Sequence, residues 1–195
     1  MTPVLYLASA SPRRHELLTQ IGVPHIVVNA NIDEAARAGE APGDYVQRMA
    51  HEKAQVVWEQ KRQLPVLAAD TTVMLDGIVY GKPRDRAHAL DMLARLSGRT
   101  HEVLTAVALA DARGIELRMN VSTVKFRVLT PAECAAYWDT GEPQDKAGAY
   151  AIQGFAAVFI ESLSGSYSGV MGLPLYETAQ LLRSAGLMHW CKMGS

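Results

Sequence analysis

Cysteine is scarce in this sequence, and its scarcity excludes several classes of fold. Only Cys134 and Cys191 occur among the 195 residues, and they form no CxxC pair. Disulfide-stapled domains and zinc ribbons need closely spaced sets of cysteines. We therefore expect a protein of the reduced cytoplasm whose fold depends on a hydrophobic core.

Long hydrophobic runs are also absent. The apolar stretch over residues 1–8 turns polar at Ser9 and has no basic flank, which argues against a signal peptide. No segment approaches the roughly 20 apolar residues of a membrane-spanning helix. With 49% hydrophobic and 20% charged residues, the composition suits a chain that buries a core. We expect one domain over residues 1–195, whole or divided into two lobes by a cleft, with no membrane partner.

The sequence carries no excess of positive charge. Its formal net charge is −1 and its isoelectric point is about 6.6, whereas domains that bind long nucleic acid usually have a basic face and a much higher isoelectric point. The aromatic residues do not form a spaced stacking platform for single strands. These features argue against nucleic acid as a partner. Small phosphorylated ligands remain possible, because they need only a few local cations.

Familiar catalytic motifs are missing as well. The six histidines form neither an HExxH motif nor a close pair in sequence, so none of them is assigned a ligand role. Ser9 and Ser11 lack the G-x-S-x-G context of many serine hydrolases. The segment around them also lacks the glycines and the Gly-Lys-Ser/Thr ending of a Walker loop.

What is present is an alternation of short apolar strands and amphipathic helices. Strands are predicted over residues 4–8, 25–28, 65–69 with 73–75, 78–80, 103–110, 115–128 and 155–163. Helices are predicted over residues 12–21, 44–58, 85–96, 131–139 and 174–185. This alternation favours an α/β fold with a mixed sheet flanked by helices.

Local signals support several of these boundaries. Ser11 is a candidate cap for the first helix, and Asp44 with Gln47 resembles a capping pair for the second. Residues 130–133 form a full capping box before the fourth helix. The pair at residues 76–77, Asp-Gly, predicts a tight hairpin.

The segment from Ser9 to Arg14 is the first that carries a functional signal. A strand ends there and a helix begins, and helix N-termini attract phosphate. Arg13 and Arg14 oppose the helix dipole, a local cost that an anion bound between them would offset. The alternative is that both arginines are solvated and that Ser11 is only a cap.

Lys53 and Asp70 are polar residues in apolar surroundings. Lys53 shares a helical face with Val46 and Met49, so it either extends outward to solvent or points into a polar cleft. Asp70 follows a buried strand at its expected carboxyl end, a common location for chemistry in α/β folds. A turn or helix-cap role is the alternative for Asp70, and Thr71 lies beside it in either case.

Weaker signals complete a phosphate-handling pattern. Glu34 and Lys82 alone are typical of surface residues, and the glycines in the run 145–154 suit either turns or close approach to a ligand. Taken together, however, the cations and the carboxylates suit a magnesium-dependent phosphoanhydride hydrolase, in which carboxylates bind the hard cation. The cations then neutralise the departing pyrophosphate.

The sequence resembles the Maf family in several motifs that follow the family's order. These motifs occupy residues 7–18, 68–71, 81–85, 145–148 and 152–154. One departure is Ala10, where relatives often carry glycine. The resemblance implies an elongated, two-lobed α/β domain with a central cleft that cleaves nucleoside triphosphates between the α and β phosphates. It also implies a divalent cation (Mg, Mn or Co) and a homodimer.

The resemblance also implies roles for individual residues. Asp70 matches the family's proposed proton acceptor. The substrate-specificity positions correspond to Arg13, Thr71 and Gln153, and polar residues of the family's cleft correspond to Ser9, Glu34, Lys53 and Lys82. Gln153 is similar to the branch that prefers dTTP and UTP, whereas a branch with glutamate at this position prefers 7-methyl-GTP. The cation is expected on Glu34 and Asp70, and the sequence leaves open whether Asp70 acts as base or as ligand.

Two other functions compete with this interpretation. One is an inosine/xanthosine triphosphate pyrophosphatase of similar architecture. The other is a nucleotide-sensing regulator of cell division that binds nucleotide without turnover. A substrate screen with detection of pyrophosphate would separate all three.

Overall fold

The computed structural model describes residues 2–188. Its strands are β1 (Leu5–Ala8), β2 (His25–Val28), β3 (Val66–Leu75), β4 (Ile78–Tyr80), β5 (Thr100–Asp111), β6 (Gly114–Phe126) and β7 (Ile160–Ser164). Its helices are α1 (Pro12–Gln20), α2 (Pro42–Lys61), α3 (Arg86–Leu96), α4 (Pro131–Asp139), α5 (Tyr167–Met171) and α6 (Leu175–Ser184). Short 3₁₀ helices span Glu142–Asp145, Ala147–Ala149 and Phe155–Phe159.

The strands form one mixed sheet. Its order is β2-β1-β3-β5-β6-β7, and β4 pairs with the distal part of β3. β1 is parallel to β2 and β3, and the remaining pairs are antiparallel. The predicted class, an α/β fold with a mixed sheet flanked by helices, is confirmed. The single-domain organisation over residues 1–195 stays a prediction.

β3 is the central strand, and its alternating side chains build two cores. Val66 and Ala68 pack with α2 on one face of the sheet. Leu67 and Ala69 pack with α1 and α6 on the other face. This period of two is the ordinary consequence of strand geometry. A third core joins the distal part of the sheet to α3 and α4.

The position of Asp70 in β3 differs from the prediction. β3 does not end at residue 69, because residues 66–74 pair continuously with β5, and Asp70 lies opposite Ala106. β1, however, pairs with β3 only as far as Ala8 opposite Ala68. Asp70 therefore lies beside the carboxyl end of β1, where the sheet has lost one neighbouring strand.

Three other local predictions were wrong. α2 begins at Pro42 with Ala41 before it, so Asp44 lies inside the first turn, where a carboxylate suits the helix dipole. The Ser11 hydroxyl makes no capping bond to α1. Residues 155–159 form a 3₁₀ helix instead of the start of a strand, and α5 was not predicted.

Two other local signals were confirmed. Asp76 and Gly77 both adopt positive φ angles in the β3–β4 hairpin. Thr130 and Glu133 form both bonds of the capping box of α4. Cys134 is a free, buried thiol, and Cys191 lies outside the described residues. Within residues 2–188, no helix is long and apolar enough to cross a membrane.

Candidate active site

One cavity of about 650 Å³ opens beside the carboxyl end of β1. Its volume falls in the usual range for small-molecule sites. All the residues singled out from the sequence as candidates for substrate binding, metal binding or catalysis line it, namely Ser9, Arg13, Glu34, Lys53, Asp70, Thr71, Lys82 and Gln153. Residues separated by more than a hundred positions in sequence thus meet at one place.

Lys53 links the two candidate acidic residues. Its ammonium lies 2.7 Å from Asp70 Oδ1 and 2.7 Å from Glu34 Oε1. The Lys53 residue is only 8% exposed, so its side chain points into the cleft rather than outward to solvent. Burial raises the pKa of Glu34, but the hydrogen bond from Lys53 and the charges of Lys53, Lys82 and Arg14 outweigh it and lower the pKa below its ordinary value. Glu34 is therefore a carboxylate at neutral pH.

Arg14 also lines the cavity, and it lies on the face of β3 opposite to Asp70 and Lys53. Its guanidinium donates to the Gly172 carbonyl at 2.7 Å, to Thr71 Oγ1 at 3.2 Å and to Ser9 Oγ at 3.4 Å. Within residues 2–188, Arg14 has no ion pair with a carboxylate. Burial lowers its pKa, and the charge of Asp70 partly offsets this effect. A covered cation without a carboxylate partner favours an anionic ligand nearby.

The alternation of β3 explains why Asp70 and its neighbour Thr71 meet different cations. Asp70 projects to the face covered by α2 and reaches Lys53. Thr71 projects to the opposite face and reaches Arg14 from α1. The Thr71 hydroxyl also lies 3.1 Å from the Thr105 hydroxyl, which is fully buried.

Two further cations approach the cavity from its rim. Arg13 lies 3.9 Å from Asp145 across the cleft, and burial lowers its pKa despite the opposing charge of Asp145. Lys82 lies two residues beyond β4, is exposed, and has no hydrogen bond or ion pair within the described part of the chain. Both cations are available to a ligand that carries several negative charges.

The loop that carries Glu34 is held against α2. Tyr45 donates its hydroxyl to the Glu34 carbonyl at 3.0 Å. Arg48 donates to the Ala35 carbonyl at 3.0 Å and forms two bonds with the Glu40 carboxylate. Burial, followed by the charges of Asp70 and Glu34, raises the pKa of Tyr45 to about 12, so its hydroxyl remains a donor.

Gln153 reaches the cavity from the opposite side. It lies in a turn in which the Gly154 N–H donates to the Ala151 carbonyl at 3.1 Å. Its two predecessors, Ala151 and Ile152, are buried, whereas Gln153 is exposed. Its side-chain amide makes no hydrogen bond within residues 2–188, and is therefore available to a ligand.

The charged residues that line the cavity favour an anionic ligand. Five cations line it, Arg13, Arg14, Lys53, Lys82 and Lys146, against three carboxylates, Glu34, Asp70 and Asp145. The described residues contain no group of three or more His, Cys, Asp or Glu suited to holding a metal alone. Two carboxylates together with substrate phosphates are nevertheless a usual donor set for Mg²⁺.

Tyr45, Asp145 and Lys146 line the cavity but were given no individual role in the sequence analysis, because their signals were weak. Tyr45 lies in a helix and resembles any amphipathic aromatic residue, because its contact with the Glu34 loop is not local. Asp145 and Lys146 belong to a recognised motif, yet only the fold shows that they face Arg13 across the cleft. Arg14 carried the same signal as Arg13, and the structure gives it the more buried position.

Comparisons with known proteins agree with this geometry. The family of Maf-like proteins matches residues 4–185. A protein of Bordetella parapertussis named dTTP/UTP pyrophosphatase is 56% identical over 95% of this chain and 94% of its own length. Proteins of the same name from Alkalilimnicola ehrlichii and Nitrosomonas europaea are 55% and 50% identical, covering 96% and 94% of this chain and 97% and 95% of their own lengths.

Among solved structures, a nucleoside-triphosphatase / dITP/XTP pyrophosphatase from Mycobacterium abscessus has a TM-score of 0.46 and 16% identity. It covers 94% of this chain and 96% of its own. A similarity this low does not distinguish between functions. The matched residues 4–185 and the identity of 50–56% to full-length relatives do decide the family: the chain belongs to the Maf-like proteins.

Proposed function

We propose that this protein hydrolyses dTTP and UTP to the nucleoside monophosphate and pyrophosphate. Its relatives at 50–56% identity carry the name of that activity. The proposal rests on the cavity, where Asp70 and its partner Lys53 lie together with the two arginines of α1. Lys82, just beyond β4, lines the same cavity. This arrangement suits hydrolysis of a phosphoanhydride more than binding alone.

Asp70 acts as the proton acceptor in this proposal. Lys53 occupies Asp70 Oδ1 at 2.7 Å, which leaves Oδ2 for a water molecule. The oxygen of that water attacks the α-phosphorus, its proton passes to Asp70, and the bond between the α-phosphorus and the bridging oxygen breaks. Arg13, Lys53 and Lys82 stabilise the charge that develops on pyrophosphate.

A divalent cation (Mg, Mn or Co) completes the proposed site. Glu34 and Asp70 would hold it together with the substrate, because hard cations prefer carboxylate and phosphate oxygens. When bound, such an ion neutralises phosphate charge and polarises the reacting phosphoryl group. Lys53 contacts one oxygen of each carboxylate. The second oxygen of Glu34 remains for the ion, whereas Asp70 Oδ2 serves either the ion or the attacking water, and these two roles of Asp70 are alternatives.

Gln153 reads the base in this proposal. Uracil and thymine present an N3–H donor beside O4 and O2 acceptors, and a side-chain amide can pair with that edge at two points. Cytosine presents the reverse pattern at N3 and N4, so it pairs with the amide only in the flipped orientation. The free amide of Gln153 at the cavity supports this role.

The remaining expectations belong to the same proposal. The protein acts in the cytoplasm on nucleotides and not on long nucleic acid, which its net charge of −1 supports. We also propose a homodimer. Val128, Phe155 and Val158 are exposed apolar residues, and Arg127 joins their two segments through the Val158 carbonyl. Sedimentation velocity over a range of concentrations tests the dimer.

Isotope labelling tests the activity directly. UTP, dTTP, CTP, ITP and XTP are incubated with Mg²⁺, Mn²⁺ or Co²⁺ in oxygen-18 water, and the products are identified by mass spectrometry. The proposal expects pyrophosphate, with the label in the nucleoside monophosphate. Label in pyrophosphate would place the attack at the β-phosphorus.

Two other outcomes would favour the competing functions. Faster turnover of ITP and XTP than of UTP would favour the inosine/xanthosine interpretation. Binding of nucleotide without hydrolysis under any metal would favour a nucleotide-sensing regulator.

A further inference from the structure

The turn that presents Gln153 is tied to α4 by a tyrosine and a glutamate. Tyr137 Oη accepts the Ala151 N–H at 3.1 Å and donates to Glu142 Oε1 at 2.6 Å. Glu142 Oε2 accepts the Phe155 N–H at 3.0 Å. The two side chains, called here the Tyr137–Glu142 clamp, thus hold the chain on both sides of Gln153.

The glutamate caps the 3₁₀ helix that follows the turn. The Phe155 and Ala156 N–H groups, the first of Phe155–Phe159, both point at the Glu142 carboxylate. Such N–H groups have no partner within their own helix, and a carboxylate there also suits the helix dipole. The clamp therefore fixes the direction in which the chain leaves the turn.

Gly154 makes room for this carboxylate. A Cβ atom at this position would overlap the Glu142 side chain, although the backbone φ of −107° is open to any residue. Residue 154 must therefore be small because the Glu142 carboxylate lies against it, and not because its φ angle requires glycine. A methyl group at residue 154 would displace the carboxylate and leave the chemistry of Glu142 unchanged.

The hydroxyl of Tyr137 is a permanent donor in this arrangement. Tyr137 is 4% exposed, and burial together with the bond to Glu142 raises its pKa well above the ordinary value. Its ring packs edge-to-face on Phe159, the last residue of the same 3₁₀ helix. The tyrosine of the clamp is therefore held in place by the core.

We propose that the Tyr137–Glu142 clamp is a positioning device that sets base selectivity by fixing Gln153. The clamp touches no substrate, and acts through the turn. Two-point pairing of an amide with a base edge requires placement within about 0.5 Å, which a loop held only at one end does not provide. This inference rests on the proposed reading of uracil and thymine by Gln153.

The test compares two independent ways of opening the clamp. Glu142→Gln replaces one accepting oxygen by an NH₂ group, which cannot accept from the surrounding N–H and O–H donors. Gly154→Ala displaces the carboxylate sterically. Glu133→Gln is the matched control, because Glu133 also caps a helix N-terminus but lies away from the cavity. For each variant, kcat/KM is measured for UTP and CTP, with and without Gln153→Ala.

We expect the UTP/CTP ratio of kcat/KM to fall about tenfold in both clamp variants and to stay at the parental value in Glu133→Gln. Adding Gln153→Ala should lower the ratio strongly in the parent, but by less than about twofold in a clamp variant, because coupled residues are not additive. Melting temperatures accompany every measurement. If Glu142→Gln does not fold, Gly154→Ala decides the test, since it moves only the end of a flexible side chain.

Failure of this inference is separable from failure of the proposed function. If Gln153→Ala leaves the parental UTP/CTP ratio unchanged, base reading by Gln153 is wrong. If Gln153→Ala lowers the ratio while both clamp variants keep it, the clamp has no positioning role. Clamp variants that lower the melting temperature and slow both substrates equally would also overturn the inference, because this is the result of a purely structural contact.

Discussion

At the scale of single residues, the site depends on side chains that alternate across β3. Asp70 meets a lysine from α2, and Thr71 meets an arginine from α1. A carboxylate that can take a proton therefore lies next to a hydroxyl that holds a buried cation in place. The two neighbours meet different cations because the strand directs them to different helices.

Asp70→Asn should fold and bind nucleotide while losing most of its turnover. The amide keeps the shape of the carboxylate and can still accept from Lys53, but it cannot take a proton from water. Loss of a general base usually costs about 10²–10⁴ in rate. Pre-steady-state kinetics and nucleotide titration measure the two effects, with Asp91→Asn on the exposed face of α3 as the control. A near-parental kcat would show that Asp70 is not catalytic.

Lys53→Met should move the acid limb of the pH–rate profile to higher pH. In the parent, burial raises the pKa of Glu34 and Lys53 more than offsets this. Without Lys53 the pKa of Glu34 rises, so Glu34 becomes ionised only at higher pH. We expect a shift of about one pH unit or more in kcat/KM for UTP.

Lys61→Met, in the last turn of the same helix, is the control for this change. An unmoved acid limb would mean that Lys53 does not govern the ionisation of Glu34. A large drop in melting temperature with parental kinetics would instead assign Lys53 a packing role.

Gln153→Glu should lower kcat/KM for dTTP and UTP more than for other nucleotides. An ionised glutamate only accepts hydrogen bonds, so the O4 or O2 acceptor of the base loses its donor. An unpaired buried polar group costs about 1–3 kcal/mol, or roughly tenfold to a hundredfold in selectivity. The measurement covers dTTP, UTP, CTP and 7-methyl-GTP. Equal losses on all four would mean that Gln153 supports the turn and does not read the base.

At the scale of secondary-structure elements, two of the four local signals were confirmed, and the extent of β3 depended on non-local pairing. The capping box at Thr130 and the hairpin at residues 76–77 depend on residues within four positions of each other. The continuation of β3 through Asp70 depends instead on pairing with β5, which begins thirty residues later. Because the polar residues Asp70, Thr71 and Thr72 follow an apolar run, the sequence predicts that the strand ends there. In the structure, β3 continues through all three.

The segment over residues 155–159 shows the same limit. Its apolar composition suits a strand, yet the Glu142 carboxylate captures its first N–H groups and the Val158 carbonyl accepts from Arg127. These partners satisfy the backbone without a neighbouring strand. The segment 9–14, Lys53 and Asp70 stood out in the sequence as polar residues beside apolar runs. The family resemblance pointed to Glu34, Thr71, Lys82 and Gln153, whereas the Tyr137–Glu142 clamp required the fold.

Arg48→Gln should loosen the loop that carries Glu34. Arg48 holds Glu40 and the Ala35 carbonyl, and its hydrogen bonds lower the pKa of Glu40 to about 2 despite burial. Local opening of such a loop requires little global unfolding. We expect KM for UTP to rise about threefold to tenfold with a small change in melting temperature.

Hydrogen exchange of residues 33–41 measures the loosening directly, and Arg95→Gln on α3 is the matched control for loss of an arginine–carboxylate pair. If the hydrogen-exchange rates of residues 33–41 stay unchanged in Arg48→Gln, the hydrogen bond from Tyr45 is sufficient to hold the loop.

At the scale of the whole molecule, charge is distributed unevenly. The net charge is −1, yet the cavity concentrates cations, so a polyanionic ligand is attracted to this one place. The core that joins the distal part of the sheet to α3 and α4 is mostly apolar. Its one buried histidine among the described residues, His101, is 2% exposed and packs edge-to-face on Phe126 and Tyr150.

This histidine makes the stability of the fold dependent on pH. Burial lowers the pKa of His101 to about 4, compared with about 6.5 in an unfolded chain. Between these values the unfolded state binds more protons than the native state. The free energy of unfolding therefore falls as pH decreases from about 6.5 to about 4, and the histidine adds no further loss below that range. The difference corresponds to a loss on the order of 3 kcal/mol.

His101→Gln should remove this part of the acid sensitivity. The glutamine does not titrate, and it can still form a hydrogen bond with the Tyr150 hydroxyl, which lies 2.9 Å from His101 Nε2. Urea unfolding at pH 8 measures the cost of the substitution itself, because His101 is neutral there in both states. Unfolding at pH 6.5, 5.5 and 4.5 then gives the slope. We expect the variant to lose less stability than the parent over this interval, even where it starts less stable. Equal slopes in the two proteins would mean that other groups cause the acid sensitivity, and that His101 accepts a proton in the folded core.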